Sequence, residues 1–314
     1  MQYRKLGRTG LKVSLLGLGT GRARRMGQSQ GHTREQQYAL VRRCLELGVN
    51  LFDTSELYAD TEERLGEALD GVPRDSYVLV TKWKYDKDNL WSEDAEELRE
   101  STEQSMGRLR TDYLDVLMLH GVLPHHYDDV VERYVPELRR LHDEGVARHI
   151  GFSERFPLDT SHRAASTALS RHPEIWDVVE LKYGILNQLA NREALPLALE
   201  HDVGVINMAA VRIRLPDPTL LEQTISEWND AGYIATNSLP EKRPLDWLVH
   251  DGVDSVVSAG YKFAANHPAV STVLSGTASI AHLEANAAAI EDPRLPDKDT
   301  RRLIELFGEV DEYA

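Results

Sequence analysis

Short apolar runs alternate with longer amphipathic stretches from one end of this chain to the other. The runs cover residues 15–19, 50–53, 77–82, 114–120, 147–153, 178–182, 203–208 and 271–275. Runs of this length, apolar or β-branched and bounded by polar turns, read as buried strands, because a strand covered on both faces needs no polar alternation. The stretches between them read as helices over 33–47, 93–109, 129–144, 158–171, 192–201, 218–229 and 253–266. Tyr38, Val41, Leu45 and Leu47 recur near one face of the first, and Gly48 stops it. Ser92 is placed to cap the second, with Asp94, Glu96 and Glu97 in its first turns, where the helix dipole favours acids. Gly145 ends the third.

Eight strand–helix units imply a parallel sheet, and eight is the count at which such a sheet closes into a (β/α)8 barrel, the TIM barrel. The rival architecture, an open doubly wound sheet, needs a glycine-rich phosphate turn after its first strand. Leu16-Gly17-Leu18-Gly19-Thr20-Gly21 looks similar, but its first glycines lie within the strand and no helix begins before about residue 33. Residues 3–6 and 11–14 flank Gly7-Arg8-Thr9-Gly10 and read as an N-terminal β-hairpin closing the barrel floor. Residues 279–290 and 297–307 read as extra C-terminal helices. A length of 314 residues would admit two domains, but no linker rich in Pro, Gly or Ser divides it. Residues 1–314 are therefore expected to form one barrel domain.

Charge narrows the partners. The chain has 36 basic and 51 acidic residues, a net charge of −15, which repels nucleic acid and anionic membranes. Apolar residues make up 41%, enough for a large core. There is no run of 18 apolar residues and no apolar signal core at the N-terminus, so a cytoplasmic enzyme acting on a small molecule is the default. The one cysteine, Cys44, excludes an internal disulfide and a cysteine-based metal site, and its helical spacing reads as a small core residue.

Barrels of this kind carry their active sites at the C-terminal ends of the strands. Strand two ends in Asp53, strand three in Lys82 and strand four in His120, and Tyr58 follows Asp53 by five residues. Each has a plain structural reading: Asp53 as the cap of the next turn, Lys82 as a solvated strand end, His120 as a satisfied structural histidine. Together they are placed to converge on one barrel mouth.

The stretches around them resemble the aldo-keto reductase superfamily. The matching segments are Asn50-Leu51-Phe52-Asp53-Thr54-Ser55-Glu56-Leu57-Tyr58, Thr81-Lys82, and Asp112-Tyr113-Leu114-Asp115-Val116-Leu117-Met118-Leu119-His120. Further likeness lies in residues 5–14, in Arg148-His149-Ile150-Gly151-Phe152-Ser153 and in Leu274-Ser275-Gly276-Thr277. The later half looks closest to the galactose-dehydrogenase-like branch. The resemblance implies reversible hydride transfer between a nicotinamide, NADP(H) or NAD(H), and a carbonyl compound such as an aldehyde, ketone or sugar. It implies Tyr58 as general acid, Lys82 as the ammonium that favours phenolate, Asp53 as the holder of Lys82, and His120 as a donor to the carbonyl oxygen. No metal is required. It also implies a cofactor bed of Gly19, Thr20, Ser153, Glu154, Glu180, Met208, Arg212, Gly276, Thr277, His282 and Asn286.

Several of these positions depart from the family pattern. Many members follow the serine of strand five with Asn and carry Gln on strand six, where this chain has Glu154 and Glu180. An ionised carboxylate accepts from a carboxamide NH2 but cannot donate to its oxygen, and two acids beside one ring repel. Lys182, on the same face as Glu180, is placed to neutralise the pair; the competing reading is a plain Glu180–Lys182 ion pair. Met208 stands where an aromatic often stacks on the nicotinamide. Arg212 and Arg214 are placed either for the pyrophosphate or as a solvated pair. No Lys or Arg lies between Lys262 and Arg294, where NADP-preferring members usually carry one, which gives a lean toward NAD(H). Arg22, Trp83 and His125 are expected in a polar, aromatic-walled substrate pocket, and the oligomeric state stays open. Two other functions fit the same residues: a cofactor-binding regulatory or sensor protein with weak turnover, and an aldolase using Lys82 as a Schiff-base amine.

Overall fold

All eight expected strands form, each within two residues of the bounds read from sequence. The computed structural model describes residues 1–21, 25–86 and 95–312. The strands are β3 (Leu16–Gly19), β4 (Leu51–Asp53), β5 (Val78–Trp83), β6 (Leu114–Val122), β7 (Ala147–Glu154), β8 (Val178–Lys182), β9 (Gly204–Met208) and β10 (Val270–Ser275). They pair in parallel in chain order, and β10 returns to β3, so the sheet closes as a (β/α)8 barrel. Ahead of it, β1 (Tyr3–Lys5) and β2 (Lys12–Ser14) form the antiparallel hairpin, with Tyr3 opposite Ser14.

The helices are α1 (Arg34–Glu46), α2 (Thr61–Ala68), α3 (Glu96–Leu109), α4 (Tyr127–Asp143), α5 (Arg163–Arg171), α6 (Ala194–Glu200), α7 (Pro218–Asp230), α8 (Val256–Asn266), α9 (Ile280–Glu291) and α10 (Asp297–Phe307). A Thr33/Gln36 capping box starts α1. The Ser92 cap expected for α3 lies outside the described residues. Two elements differ from expectation. The sequence gives no sign of α2, because this eight-residue helix buries Thr61 and Glu62 beside Leu65, Gly66 and Ala68, and so short a mixed face shows no apolar stripe. Glu62 is held by Thr81 Oγ1 at 2.5 Å and Arg108 Nε at 2.7 Å. Helix α5 starts at Arg163, not near 158, because the Asp159 carboxylate accepts from the Arg163 and Ala164 N–H groups and caps it there. Of the two C-terminal helices, α9 packs between α8 and α1 and completes the ring. Helix α10 lies across α7, an insertion between β9 and β10, with Phe307 against Trp228.

Side-chain parity divides the core. Val78, Val80, Val116, Met118, Val178, Ile206 and Leu274 point into the barrel, where Leu6 and Val13 of the hairpin segment join them as a floor. Their strand neighbours pack outward beneath the helices. Cys44 belongs to that outer layer, and burial pushes its thiol up to about 12, as an inert core residue requires. Among the described residues no helix is long and apolar enough to cross a membrane.

The floor makes a testable demand on Gly7. Its φ is +50°, and a Cβ there would lie 2.2 Å from the Gly204 nitrogen. Gly10 is equally left-handed at φ +74° but has nothing within 4 Å. Gly7→Ala is expected to lower unfolding free energy by about 2 kcal/mol or more, through conformational strain and overpacking together. Gly10→Ala should cost only the conformational part, about 1 kcal/mol. Equilibrium urea unfolding of both variants checks the difference.

Candidate active site

The same parity that sends Val80, Met118 and Val178 inward sends Lys82, His120 and Glu180 inward one step higher. Asp53 follows Leu51 in the same way on β4, and Ser153 sits above Gly151 on β7. The top layer of the barrel is therefore polar. Asp53, Lys82 and Glu180 are all 4% exposed or less. The Lys82 ammonium is ion-paired to Asp53, lies 3.1 Å from Glu180 Oε2, and donates to the Thr54 carbonyl at 3.1 Å. Burial opposes the ammonium, but the charges of Asp53 and Glu180 outweigh it and hold Lys82 protonated well above the ordinary lysine range. Burial first, then the charge of Glu180, raise the Asp53 carboxyl to about 8 against the pull of Lys82.

Tyr58 stands over this trio, with its ring centroid 5.8 Å from Lys82 Nζ. Its hydroxyl is 3.4 Å from His120 Nε2, and the two rings meet edge to face at 5.6 Å. Both side chains are half-buried, so they face the mouth. All four residues expected to converge do so.

Three neighbours given no role by the sequence reading complete the arrangement. Ser55, fully buried, accepts from the Leu57 N–H at 3.3 Å and donates to the Lys82 carbonyl at 3.2 Å. That use of its single proton makes it an acceptor for His120 Nδ1–H at 2.9 Å, a tautomer assigned from the hydrogen-bond inventory. The Nε2 lone pair then faces the Tyr58 hydroxyl. In that tautomer Nε2 is placed to accept from the Tyr58 hydroxyl at 3.4 Å. Lys84 Nζ donates to the His120 carbonyl at 2.9 Å and fixes the backbone beneath the ring. Gly21 lies so close that a Cβ would come within 2.6 Å of the Tyr58 ring. Its place in a glycine-rich run after β3 was the available signal.

The expected cofactor bed divides into what the mouth presents and what is committed elsewhere. Thr20 is fully buried at the end of β3, and its hydroxyl has no hydrogen-bond partner among the described residues. Beside it Gly276 is exposed, and the nearest atom to a Cβ built there is the Gly19 carbonyl at 4.0 Å. An unsatisfied hydroxyl beside an open glycine cradle suits a polar ligand laid across β3 and β10. The Ser153 hydroxyl accepts from the Gly121 N–H at 3.0 Å. Met208 caps the interior cluster from β9, and Arg212 lies in the loop that follows. Thr277 Oγ1 accepts from the Ser279 N–H at 3.0 Å, and Asn286 donates to Ser275 Oγ at 3.0 Å, so both serve their own turn and helix. His282 is exposed on α9.

Other expectations need correction. Glu154 shares the outward parity of Phe152, so it faces away from the mouth. Its carboxylate pairs with His162 Nδ1 at 2.6 Å and accepts from the Ala165 N–H at 3.1 Å, holding the start of α5. Two acids beside one ring therefore do not occur. Glu180 pairs with Lys82 rather than with Lys182, whose ammonium lies 4.8 Å from the Phe156 ring. Burial, then the charges of Arg212 and Arg214, bring Lys182 down to about 7. Trp83 also points outward: it is 2% exposed and packs edge-on against Tyr134 of α4 at 5.1 Å, not in a substrate pocket. His125 is exposed in a surface groove with Leu158, Asp159 and Arg163. Arg22 lies outside the described residues. Among the described residues no three His, Cys, Asp or Glu side chains gather as metal ligands would.

Known proteins are similar to this chain in sequence and fold. The model of the Aldo/keto reductase family matches residues 15–307. An L-galactose dehydrogenase from Arabidopsis thaliana is 31% identical over 314 residues, covering 98% of this chain and 93% of that protein. The holo form of an aldo-keto reductase from Bacillus halodurans superposes with a TM-score of 0.74 at 27% identity, covering 100% of this chain and 98% of that one. An aldo/keto reductase from Klebsiella pneumoniae in complex with NADP and acetate gives 0.70 at 26%, covering 97% and 95%.

Proposed function

The chain belongs to the aldo/keto reductase family of NAD(P)-dependent oxidoreductases, and from that premise we propose that it interconverts a carbonyl compound and its alcohol, with Tyr58 as the proton donor. The observation that carries this reading is the Tyr58 hydroxyl at the mouth, 3.4 Å from His120 Nε2 and above a buried, protonated Lys82. The bound nicotinamide supplies or takes the hydride. Tyr58 gives its proton to the oxygen as the carbonyl becomes an alcohol, and takes it back in the reverse direction. The Lys82 ammonium stabilises the phenolate left behind. His120, fixed through Ser55, holds the phenol hydroxyl in its aim. Thr20, Gly19 and Gly276 form the bed for the cofactor on the β3–β10 side.

Sugars are the substrate class favoured, by likeness to the L-galactose dehydrogenase. The aldolase reading is disfavoured on physical grounds. A Schiff base needs a neutral, reachable amine, whereas Lys82 is 1% exposed and held as an ammonium between two carboxylates. The test is a fluorescence titration with NADH and NADPH, followed by a panel of aldehydes, ketones and aldoses. The relative solved with NADP gives no support to the lean toward NAD(H), and the two dissociation constants decide the preference. Saturable binding with turnover on at least one carbonyl–alcohol pair is expected. Binding of neither nucleotide would end the proposal, and binding without turnover would leave the sensor reading in its place.

A further inference from the structure

Lys82 has one positive charge and two buried carboxylates against it. Asp53 approaches from β4 and Glu180 from β8, where Glu180 Oε2 lies 3.1 Å from the ammonium, and the two carboxyls are within hydrogen-bonding reach of each other. A single carboxylate is enough to keep a buried lysine charged. The second does something further, because it offsets part of the field the ammonium projects onto Tyr58, whose ring centroid is 5.8 Å away. We infer that Glu180 is a charge-setting, positioning residue that offsets Lys82, so that Tyr58 keeps its proton and the site is biased toward donating it, that is, toward reducing a carbonyl. This rests on the reading of Tyr58 as proton donor.

Among the described residues, the titratable groups beside the phenol include Asp53 on β4, Lys82 on β5, His120 on β6 and Glu180 on β8, with Lys182 farther along β8 near Arg212 and Arg214. His120 is paired with Ser55 on its far side. Once Asp53 ionises, above about 8, the trio carries one net negative charge, and a phenolate above it would be a second. Removing the charge of Glu180 while keeping its shape should make that phenolate easier to form. In the wild type that net charge appears as Asp53 ionises past about 8, so phenolate formation is held back just where it would otherwise begin.

The experiment follows the phenol itself. Ultraviolet difference titration of wild type against Tyr58→Phe isolates the Tyr58 ionisation, and the same subtraction is made in Glu180→Gln and Glu180→Ser. Both neutral variants should bring the Tyr58 midpoint down by about one pH unit, as expected for deleting a charge at this range in a partly shielded site. Glu180→Asp keeps the charge and should stay close to wild type. At fixed neutral pH and saturating substrates, the ratio of kcat for oxidation to kcat for reduction should rise in the neutral variants and not in Glu180→Asp. A midpoint unmoved by either neutral variant overturns the inference, as does one moved equally by Glu180→Asp, which would mark Glu180 as packing alone. Because the titration needs no turnover, it stands even if the nucleotide and carbonyl assays fail, so the two readings fall separately.

Discussion

Tyr58→Phe should reduce kcat for carbonyl reduction by about 100- to 10,000-fold, the range that a positioned general acid contributes. The substitution removes one oxygen and keeps the ring that packs on Gly21 and edge-on to His120. The lost contact to His120 is 3.4 Å long, at the weak limit of a hydrogen bond, so stability should change by less than about 1 kcal/mol. Nucleotide binding should be little altered, because the unsatisfied Thr20 hydroxyl and the open Gly276 cradle lie on another side of the mouth. Steady-state kinetics with a nucleotide titration on the same preparation separates these effects. A variant that turns over within about tenfold of wild type would move the proton-donor role to another group.

The barrel and its four converging residues were legible because they sit at strand ends, and strand ends are marked by where apolar runs stop. Asp53, Lys82 and His120 each terminate such a run two residues after an inward Leu51, Val80 or Met118. Which way a residue points was much less legible. In a parallel strand covered on both faces, inward and outward positions are equally apolar, so the pattern carries no phase. Glu154 and Trp83 were therefore placed at the mouth, although their outward parity sends them to His162 and Tyr134. Glu180 was placed on the correct face but with the wrong partner. Lys182 is its neighbour in sequence, whereas Lys82, nearly a hundred residues away, is its neighbour across the barrel. Helix α2 was invisible for a related reason: two of its five buried positions are Thr61 and Glu62, whose burial depends on partners that local periodicity does not show.

Lys82→Met should damage both chemistry and stability, and the pH dependence of the second loss tests the ionisation of the whole site. Chemically, Tyr58 loses the cation that stabilises its phenolate, so kcat should fall by about as much as a general acid–base group contributes, 100-fold or more. Structurally, Asp53 and Glu180 are left buried with no ammonium between them. Stranding buried charges in this way costs about 3–5 kcal/mol where both are ionised. The fold can avoid that cost only by keeping protons on the carboxyls. Native carboxyls that ionise later than unfolded ones bind protons the unfolded chain has released, so stability falls as pH rises above about 4. In the wild type, Asp53, raised to about 8, pulls in that same direction. Lys82 acts differently: its ionisation is raised above the unfolded value, so its contribution is intact at neutral pH and is lost only beyond the ordinary lysine range. Urea midpoints measured from about pH 5 to about pH 8 should therefore decline much more steeply for Lys82→Met than for wild type. Adding Glu180→Gln to Lys82→Met removes one of the two stranded acids and should flatten that decline. Equal slopes for wild type and Lys82→Met would mean that the two carboxyls do not share a buried charge with Lys82, and the electrostatic account of Tyr58 would fall with it.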